Sequence, residues 1–196
     1  MLQRSVICYH GDMAGVDRRS CREASAVPDQ LEFRPIVPAD KAALEVAFRR
    51  LSADSRRRRF HFAKKQLSDE ELRRLTECDG DDAVAIIATW RSAETDTVEI
   101  VGVVRFARLE RDVGRAEVSI AVIDEWQRRG VGARLMAQLV TAAAASGVTR
   151  IEGVTQPDNR QLRALLDRCC EGAELRRDGD LTRFSYVIPP VDARGA

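Results

Sequence analysis

The residue types best suited to chemistry lie in one segment, EVSIAVIDEWQRRGVGARL, from Glu117 to Leu135. A β-branched run passes directly into Gln127, Arg128, Arg129, Gly130, Val131 and Gly132, and an apolar helical stripe follows. The first turn of a helix has N–H donors without intrahelical acceptors and the positive end of the helix dipole, so this junction suits an anion. Glycines lack the Cβ that would keep phosphate oxygens from the main chain, and Arg128 and Arg129 add mobile positive charge. Two glycines at this spacing also occur in loops that only need unusual dihedrals, so the surrounding elements must decide.

Those elements can be read from periodicity. LEFRPI, beginning at Leu31, is a short strand, and Pro38 and Asp40 open a helix that places Leu44, Phe48 and Leu51 on one face. Ser68 and Glu71 form a capping box for a second helix bearing Leu72 and Leu75, which should end around Cys78 to Gly80. AVAIIATW, VEIVGVVRFARL and RAEVSIAVI are three strand-type runs separated by turns short enough for hairpins. Val131, Leu135, Leu139 and Ala143 then mark a helix up to Gly147. RIEGVT is a strand, Leu162, Leu165 and Leu166 lie on another helix, and LTRFSYVIP closes the sheet. There is room for one more strand near Ala173 to Arg176. The order β, α, α, β, β, β, α, β, α, β describes an α/β fold of the α+β kind, a mixed and mostly antiparallel sheet flanked by helices. The folded domain is expected over residues 31–190. Residues 1–30 lack periodicity and read as a disordered or loosely docked leader, and residues 191–196 read as a tail.

Composition narrows the function classes. With 196 residues, 44% hydrophobic, the chain can close one core. No apolar run is long enough for a membrane span and none resembles a secretory signal, so a cytoplasmic protein with no membrane partner is expected. Cys8, Cys21, Cys78, Cys169 and Cys170 fit no zinc spacing, and only His10 and His61 could supplement them, so no metal site is expected. Basic and acidic residues number 32 and 31, which gives no electrostatic footprint for nucleic acid.

A Walker loop is excluded because no Gly-Lys-Ser or Gly-Lys-Thr follows, and the dinucleotide fingerprint fails where its third glycine would be Leu135. Glu152 lies near the distance expected of a ribose ligand, which keeps that alternative open. However, three antiparallel strands precede the loop, where a dinucleotide fold would place it in its first strand–helix–strand unit.

QRRGVG after a strand resembles the Q/R-x-x-G-x-G/A pyrophosphate loop of the GNAT superfamily of N-acyltransferases, and the element order matches over roughly Leu31 to Pro189. Within it the chain is most similar to bacterial protein lysine acetyltransferases, through LEFRPIVPAD, LSADSRRRRF, and RAEVSIAVIDEWQRRGVG followed by QPDNRQL. The resemblance implies a GNAT fold with acetyl-CoA as cosubstrate. It also implies that amides around Val122 and Ile123 hold the pantetheine arm, that Gln127 to Gly132 and Ala133 hold the pyrophosphate, and that Asn159 lies beside the cofactor arm. A preorganised N–H would stabilise the oxyanion formed when an amine attacks a thioester.

An amine of pKa about 10.4 is neutral in only about one molecule in a thousand at pH 7, so a base or water chain is needed. The resemblance offers Glu117, the glutamate of the AEV segment, acting directly or through water. The alternative is that Glu117 pairs with an arginine on the next strand. The family's thiolate-protonating tyrosine has no counterpart here: CCEGAEL occupies that region, with Cys170 or Glu171 where the tyrosine would fall. The acceptor is then a primary amine, with a protein lysine suggested by the closest resemblance and a small-molecule amine as the alternative. A catalytically silent acyl-CoA-binding module is the contrasting reading. Related proteins often fuse this domain to a nucleotide-binding regulatory domain or an acyl-CoA synthetase, and the thirty-residue leader is expected to hold neither. Sheet edges that pair between subunits make a homodimer an open expectation. Arg56 to Arg59 read as a solvated face, His61 as a helix-end or core histidine, Trp126 as packing beneath the loop, and Cys169 and Cys170 as small apolar residues.

Overall fold

The structure, a computed structural model, describes residues 31–92, 96–110 and 112–190. The leader and tail expected at the two ends lie outside the described residues.

Strand β1 (Leu31–Pro35) leads through a 3-10 turn at Pro38–Asp40 into α1 (Lys41–Arg50). The Asp40 carboxylate makes that turn. It accepts the Val37 N–H at 2.8 Å and two Arg34 guanidinium N–H groups at 2.7 and 2.8 Å. Leu44, Ala47 and Phe48 form the buried face of α1.

Helix α2 (Ala53–Phe60) was not expected from the sequence, because ADSRRRRF has no apolar stripe. Its stability is local and polar. The Ser52 hydroxyl caps it by accepting the Ser55 N–H at 3.1 Å, and Asp54 pairs one turn on with Arg58 at 2.7 Å. None of its side chains is fully buried, and its apolar anchorage is the half-buried Phe60, whose ring stands edge-on to that of Phe48 at 5.6 Å and gives less than the roughly 1.5–3 kcal/mol of a fully buried side chain. The helix is also latched by Asp124, which accepts from Ser52 N, Ser52 Oγ and Ser55 Oγ at 2.8–2.9 Å. Helix α3 (Asp69–Thr76) begins at the expected capping box, with Glu71 N–H on Ser68 Oγ and Ser68 N–H on Glu71 Oε2.

The sheet has seven strands in the order β1-β2-β3-β4-β5-β7-β6. Strands β2 (Ala83–Arg91), β3 (Val98–Leu109) and β4 (Asp112–Val122) are the expected antiparallel run. Helix α4 (Val131–Ala145) crosses to β5 (Arg150–Thr155), and α5 (Arg160–Cys169) leads to β6 (Glu174–Asp178) and β7 (Leu181–Val187). The additional strand is thus present as β6, and it takes the sheet edge. LTRFSYVIP forms β7 between β5 and β6, because an edge strand of composition ELRRD can stand against solvent while Phe184 needs cover on both sides.

Strands β4 and β5 form the parallel pair at the centre, and their ladder covers only Arg115/Arg150, Ala116/Ile151 and Glu117/Glu152. Both strands then continue without pairing, β4 to Val122 and β5 to Thr155, so the sheet opens as a split. Alternation along β4 divides its side chains between the two faces. Ile120 and Val122 point toward Gly132 of α4, while Ser119 and Ala121 point toward Leu44 and Phe48 of α1. Val131, Leu135, Met136, Leu139 and Ala143 form a fully buried face of α4, which holds one lip of the split in place. No described helix is long and apolar enough to cross a membrane.

Candidate active site

A cleft of about 630 Å³ occupies the split. Glu117, Val122, Gln127, Arg128, Gly130, Gly132, Ala133 and Asn159 all line it. Three other residues expected of the site turn their side chains elsewhere. Ile123 and Val131 are buried in the core, and Arg129 lies over the Trp126 ring, 5.3 Å from its centroid.

Strand phase decides which amides can act. The Ile123 N–H donates to the Val101 carbonyl at 3.0 Å, which corrects the expectation that it binds the cofactor arm. The same bond makes Val122 and Gly102 a non-hydrogen-bonded antiparallel pair, so the Val122 N–H and C=O point away from β3 and into the split. The Val122 carbonyl accepts from Gln127 Nε2 at 3.0 Å. Its N–H faces the gap.

At the mouth of the split the chain makes a cradle. Arg128 has φ 60° and Gly130 has φ 81°, both left-handed. Such a conformation costs a non-glycine residue on the order of 1–3 kcal/mol, and left-handed residues in a turn gather N–H groups on a concave face. The first intrahelical bond of α4 runs from Arg134 N to Gly130 O at 3.1 Å, so the N–H groups of Val131, Gly132 and Ala133 precede it. A Cβ on Gly132 would meet nothing nearer than 3.8 Å, so the protein's own packing does not demand glycine there. The space it leaves lies on the cleft floor beside Val122 and Leu165. The fit to a pyrophosphate-bearing ligand rests on this cradle.

Two expected contacts have structural duties. Gln127 is a clasp: Nε2 donates to Ser55 Oγ at 3.2 Å and to the Val122 carbonyl, while Oε1 accepts from Gln161 Nε2 at 3.2 Å. It thereby joins α2, β4 and α5. Asn159 caps α5. Its Oδ1 accepts from Leu162 N–H at 3.1 Å and Arg58 Nη1 at 3.3 Å, and Nδ2 donates to Thr155 Oγ1 at 2.9 Å. One amide hydrogen is left to face the cleft.

Glu117 lies on the α2 side. Among the described residues it forms no salt bridge; the neighbouring Arg115 binds Glu152 at 2.5 Å instead. The simple ion-pair reading of Glu117 therefore fails. Its charged surroundings are Arg59 and Arg105, and burial, followed by the charge of Arg105 and opposed by Glu117, pushes the Arg59 guanidinium down to about 10. Glu152, the candidate ribose ligand, is held by Arg115 and Arg183 and does not line the cleft, which removes the dinucleotide alternative. Cys170 is buried and Glu171 exposed, and neither lines the cleft where the missing tyrosine would act.

The arginine run read as a solvated face is also corrected. Arg58 and Arg59 form cleft wall, Arg56 lies over the Phe48 ring, and Arg57 is exposed. Sequence reasoning missed Ser55, Arg58, Arg59 and Ser119. Period-two alternation from Glu117 would have put Ser119 on the same face, and the Ser52 cap would have announced α2. His61 ends α2 at φ 64° and borders the cleft. Trp126 is buried below the loop, 5.6 Å from Trp90, as expected.

The fold is shared with solved structures. The GNAT domain of S. lividans PAT superposes with a TM-score of 0.72 over 80% of this chain and 90% of that one, at 24% identity, which establishes a common fold. The acetyltransferase (GNAT) family model matches residues 46–170, and the chain belongs to that family. It is 30% identical over 161 residues to Acetyltransferase Pat of Mycolicibacterium smegmatis, covering 82% of this chain and 46% of that protein. It is 29% identical over 149 residues to Acetyltransferase PA5475 of Pseudomonas aeruginosa, covering 76% and 77%. The chain therefore spans just under half the length of the Pat relative. These similarities agree with the branch that the sequence resembles.

Proposed function

We propose that the chain transfers an acetyl group from acetyl-CoA to a primary amine, with a protein lysine as the acceptor its resemblance suggests. The observation that carries this is the Val122 N–H directed into the split above the Arg128–Gly130 cradle. The cradle and α4 lie toward one face of the sheet and Glu117 toward the other, so the thioester would thread the gap with its pyrophosphate on the α4 side. Its carbonyl oxygen would meet the Val122 N–H, where negative charge develops on attack. The amine approaches from the α2 side and yields its proton to Glu117, directly or through water. As the C–N bond forms and the C–S bond breaks, the thiolate leaves and takes its proton from solvent, since neither Cys170 nor Glu171 reaches the cleft.

Calorimetry with acetyl-CoA tests the first half. Wild type should bind and Gly132→Glu, which puts bulk and negative charge in the cradle, should not; a wild type that binds nothing sinks the proposal. Glu117→Gln tests the second half. It should keep acetyl-CoA affinity while lowering kcat by about 10²–10⁴. Unchanged kcat would remove Glu117 as the base, and an absence of turnover in wild type against every amine would favour the silent binding module.

A further inference from the structure

We propose that Arg59 and Arg105 form an anion subsite on the acceptor side of the cleft, so that the amine presented to Glu117 belongs to a molecule carrying a carboxylate close to that amine. The inference rests on the acetyl-transfer reading of the cleft.

A narrow apolar recess lies beneath α1 and α2, with Arg59, Arg105 and Ser119 among its lining residues. Arg59 and Ser119 also line the main cleft with Glu117, so the recess opens onto the base. Alternation and pairing account for the placement. Arg105 lies opposite Ser119 in the β3/β4 register, diagonal to Glu117, and α2 lays Arg59 over the same face. Of the nearby arginines, Arg50 binds Glu99 at 2.5 Å and Glu125 at 2.7 Å, Arg58 binds Asp54, and Arg56, whose Nε also lacks an acceptor, lies over the Phe48 ring and outside the main cleft.

Arg59 and Arg105 differ. Among the described residues neither makes a salt bridge, and the buried Arg105 Nε has no hydrogen-bond acceptor. Arg105 otherwise reaches the Cys78 thiol, a weak acceptor. Arg59 thus stands beside Glu117 in the cleft with Arg105 behind it in the recess, two partly buried guanidiniums against one carboxylate, which leaves a local excess of positive charge. That excess repels an incoming ammonium unless the acceptor brings its own anion. A carboxylate fits best, since a guanidinium binds it through parallel N–H bonds and gives up its hydration more readily than an ammonium. The apolar walls of Phe48, Leu51 and Phe60 would cover the methylene spacer.

Two acceptor pairs test this and separate the sources of the carboxylate: free lysine against cadaverine, and a lysine peptide with Asp beside the lysine against the same peptide with Asn. The carboxylate-bearing member of at least one pair should show kcat/KM roughly tenfold or more higher, mostly through KM. Arg59→Gln and Arg105→Gln should each erase that preference, lowering kcat/KM for the carboxylate-bearing member without lowering it for the carboxylate-free one, while the acetyl-CoA Kd stays unchanged. A readout without turnover is calorimetry on the CoA-saturated protein, where Nε-acetyllysine should bind at least tenfold tighter than N-acetylcadaverine, or the acetylated Asp peptide tighter than its Asn counterpart. Equal constants within both pairs for wild type overturn the proposal, and this comparison needs no folded variant. A preference that survives both substitutions overturns it too, as does a rise in acetyl-CoA Kd in Arg59→Gln, which would assign the arginines to a phosphate of CoA. Failure of wild type to bind acetyl-CoA would instead sink the underlying acetyl-transfer reading.

Discussion

Replacing Gly132 by alanine should move stability and ligand affinity in opposite directions. The new Cβ would lie 3.8 Å from Leu165 Cδ2, 3.8 Å from Val122 Cγ2 and 3.9 Å from Ile120 Cδ1, all ordinary contacts, so nothing in the protein must give way. In a helix, alanine is favoured over glycine by about 0.5–1 kcal/mol. The apo protein should therefore melt about 1–4 °C higher, given roughly 2–4 °C per kcal/mol at this chain length. The same methyl narrows the floor of the cradle. Loss of one charge-assisted N–H bond to phosphate removes about 1.5–3 kcal/mol, a tenfold or greater rise in the acetyl-CoA Kd. At a ligand concentration of about 100 times the wild-type Kd, wild type gains about 2.7 kcal/mol from binding and the variant no more than about 1.4. Differential scanning fluorimetry with and without acetyl-CoA would show a higher apo melting temperature and a ligand-induced shift reduced to about half or less. An undiminished shift would refute the assignment of this glycine to the ligand. A lower apo melting temperature would refute the packing argument.

Gly153→Ala should do the reverse. Its Cβ would stand 2.7–2.8 Å from the Phe184 ring and 2.9 Å from the Val118 carbonyl oxygen, and the backbone atom cannot retreat, so a loss of about 1–3 kcal/mol is expected in urea titration, with an unchanged midpoint counting against it. Asp40 is held below its ordinary 3.8 by hydrogen bonding from Arg34, against the opposing effect of burial and helped by the Val37 N–H. Its stabilisation is thus complete above that value and fades as pH falls through the lower folded one. Asp40→Asn should cost roughly 1–2 kcal/mol at pH 7 and progressively less below about pH 4, measured by melts across pH; an equal cost at pH 7 and pH 2 would refute the linkage.

What the sequence disclosed were features whose cause is local. The stripe Val131, Leu135, Leu139, Ala143 and the Ser68/Glu71 box are fixed by spacings of three and four residues, and both appear as read. What it concealed were features whose cause is a distant partner. Helix α2 has no apolar period; a carboxylate 72 residues away, Asp124, latches its start. The direction of the Val122 and Ile123 amides depends on the register of β4 against β3, and a one-residue change of phase would exchange their roles. The split itself follows from the short parallel ladder of β4 on β5, which no local pattern encodes.

The same distant contacts make the site a single mechanical unit. Asp124 and Gln127 flank the turn that enters the cradle, and both hold α2, Asp124 through Ser52 and Ser55 and Gln127 through Ser55. Gln127 also fixes the end of β4 through the Val122 carbonyl, whose own N–H faces the split. Together with the packing of Phe60 on Phe48, these bonds set where Arg59 stands relative to Glu117. Burial works against the charge on Asp124, but the donors from Ser52 and Ser55 outweigh it and keep this carboxylate below its ordinary range. It is therefore ionised at neutral pH, the form in which it can accept all three bonds. The chain that enters the cradle and the helix that carries Arg58 and Arg59 are consequently held by one set of hydrogen bonds, centred on two residues outside the glycine pair that first marked the loop.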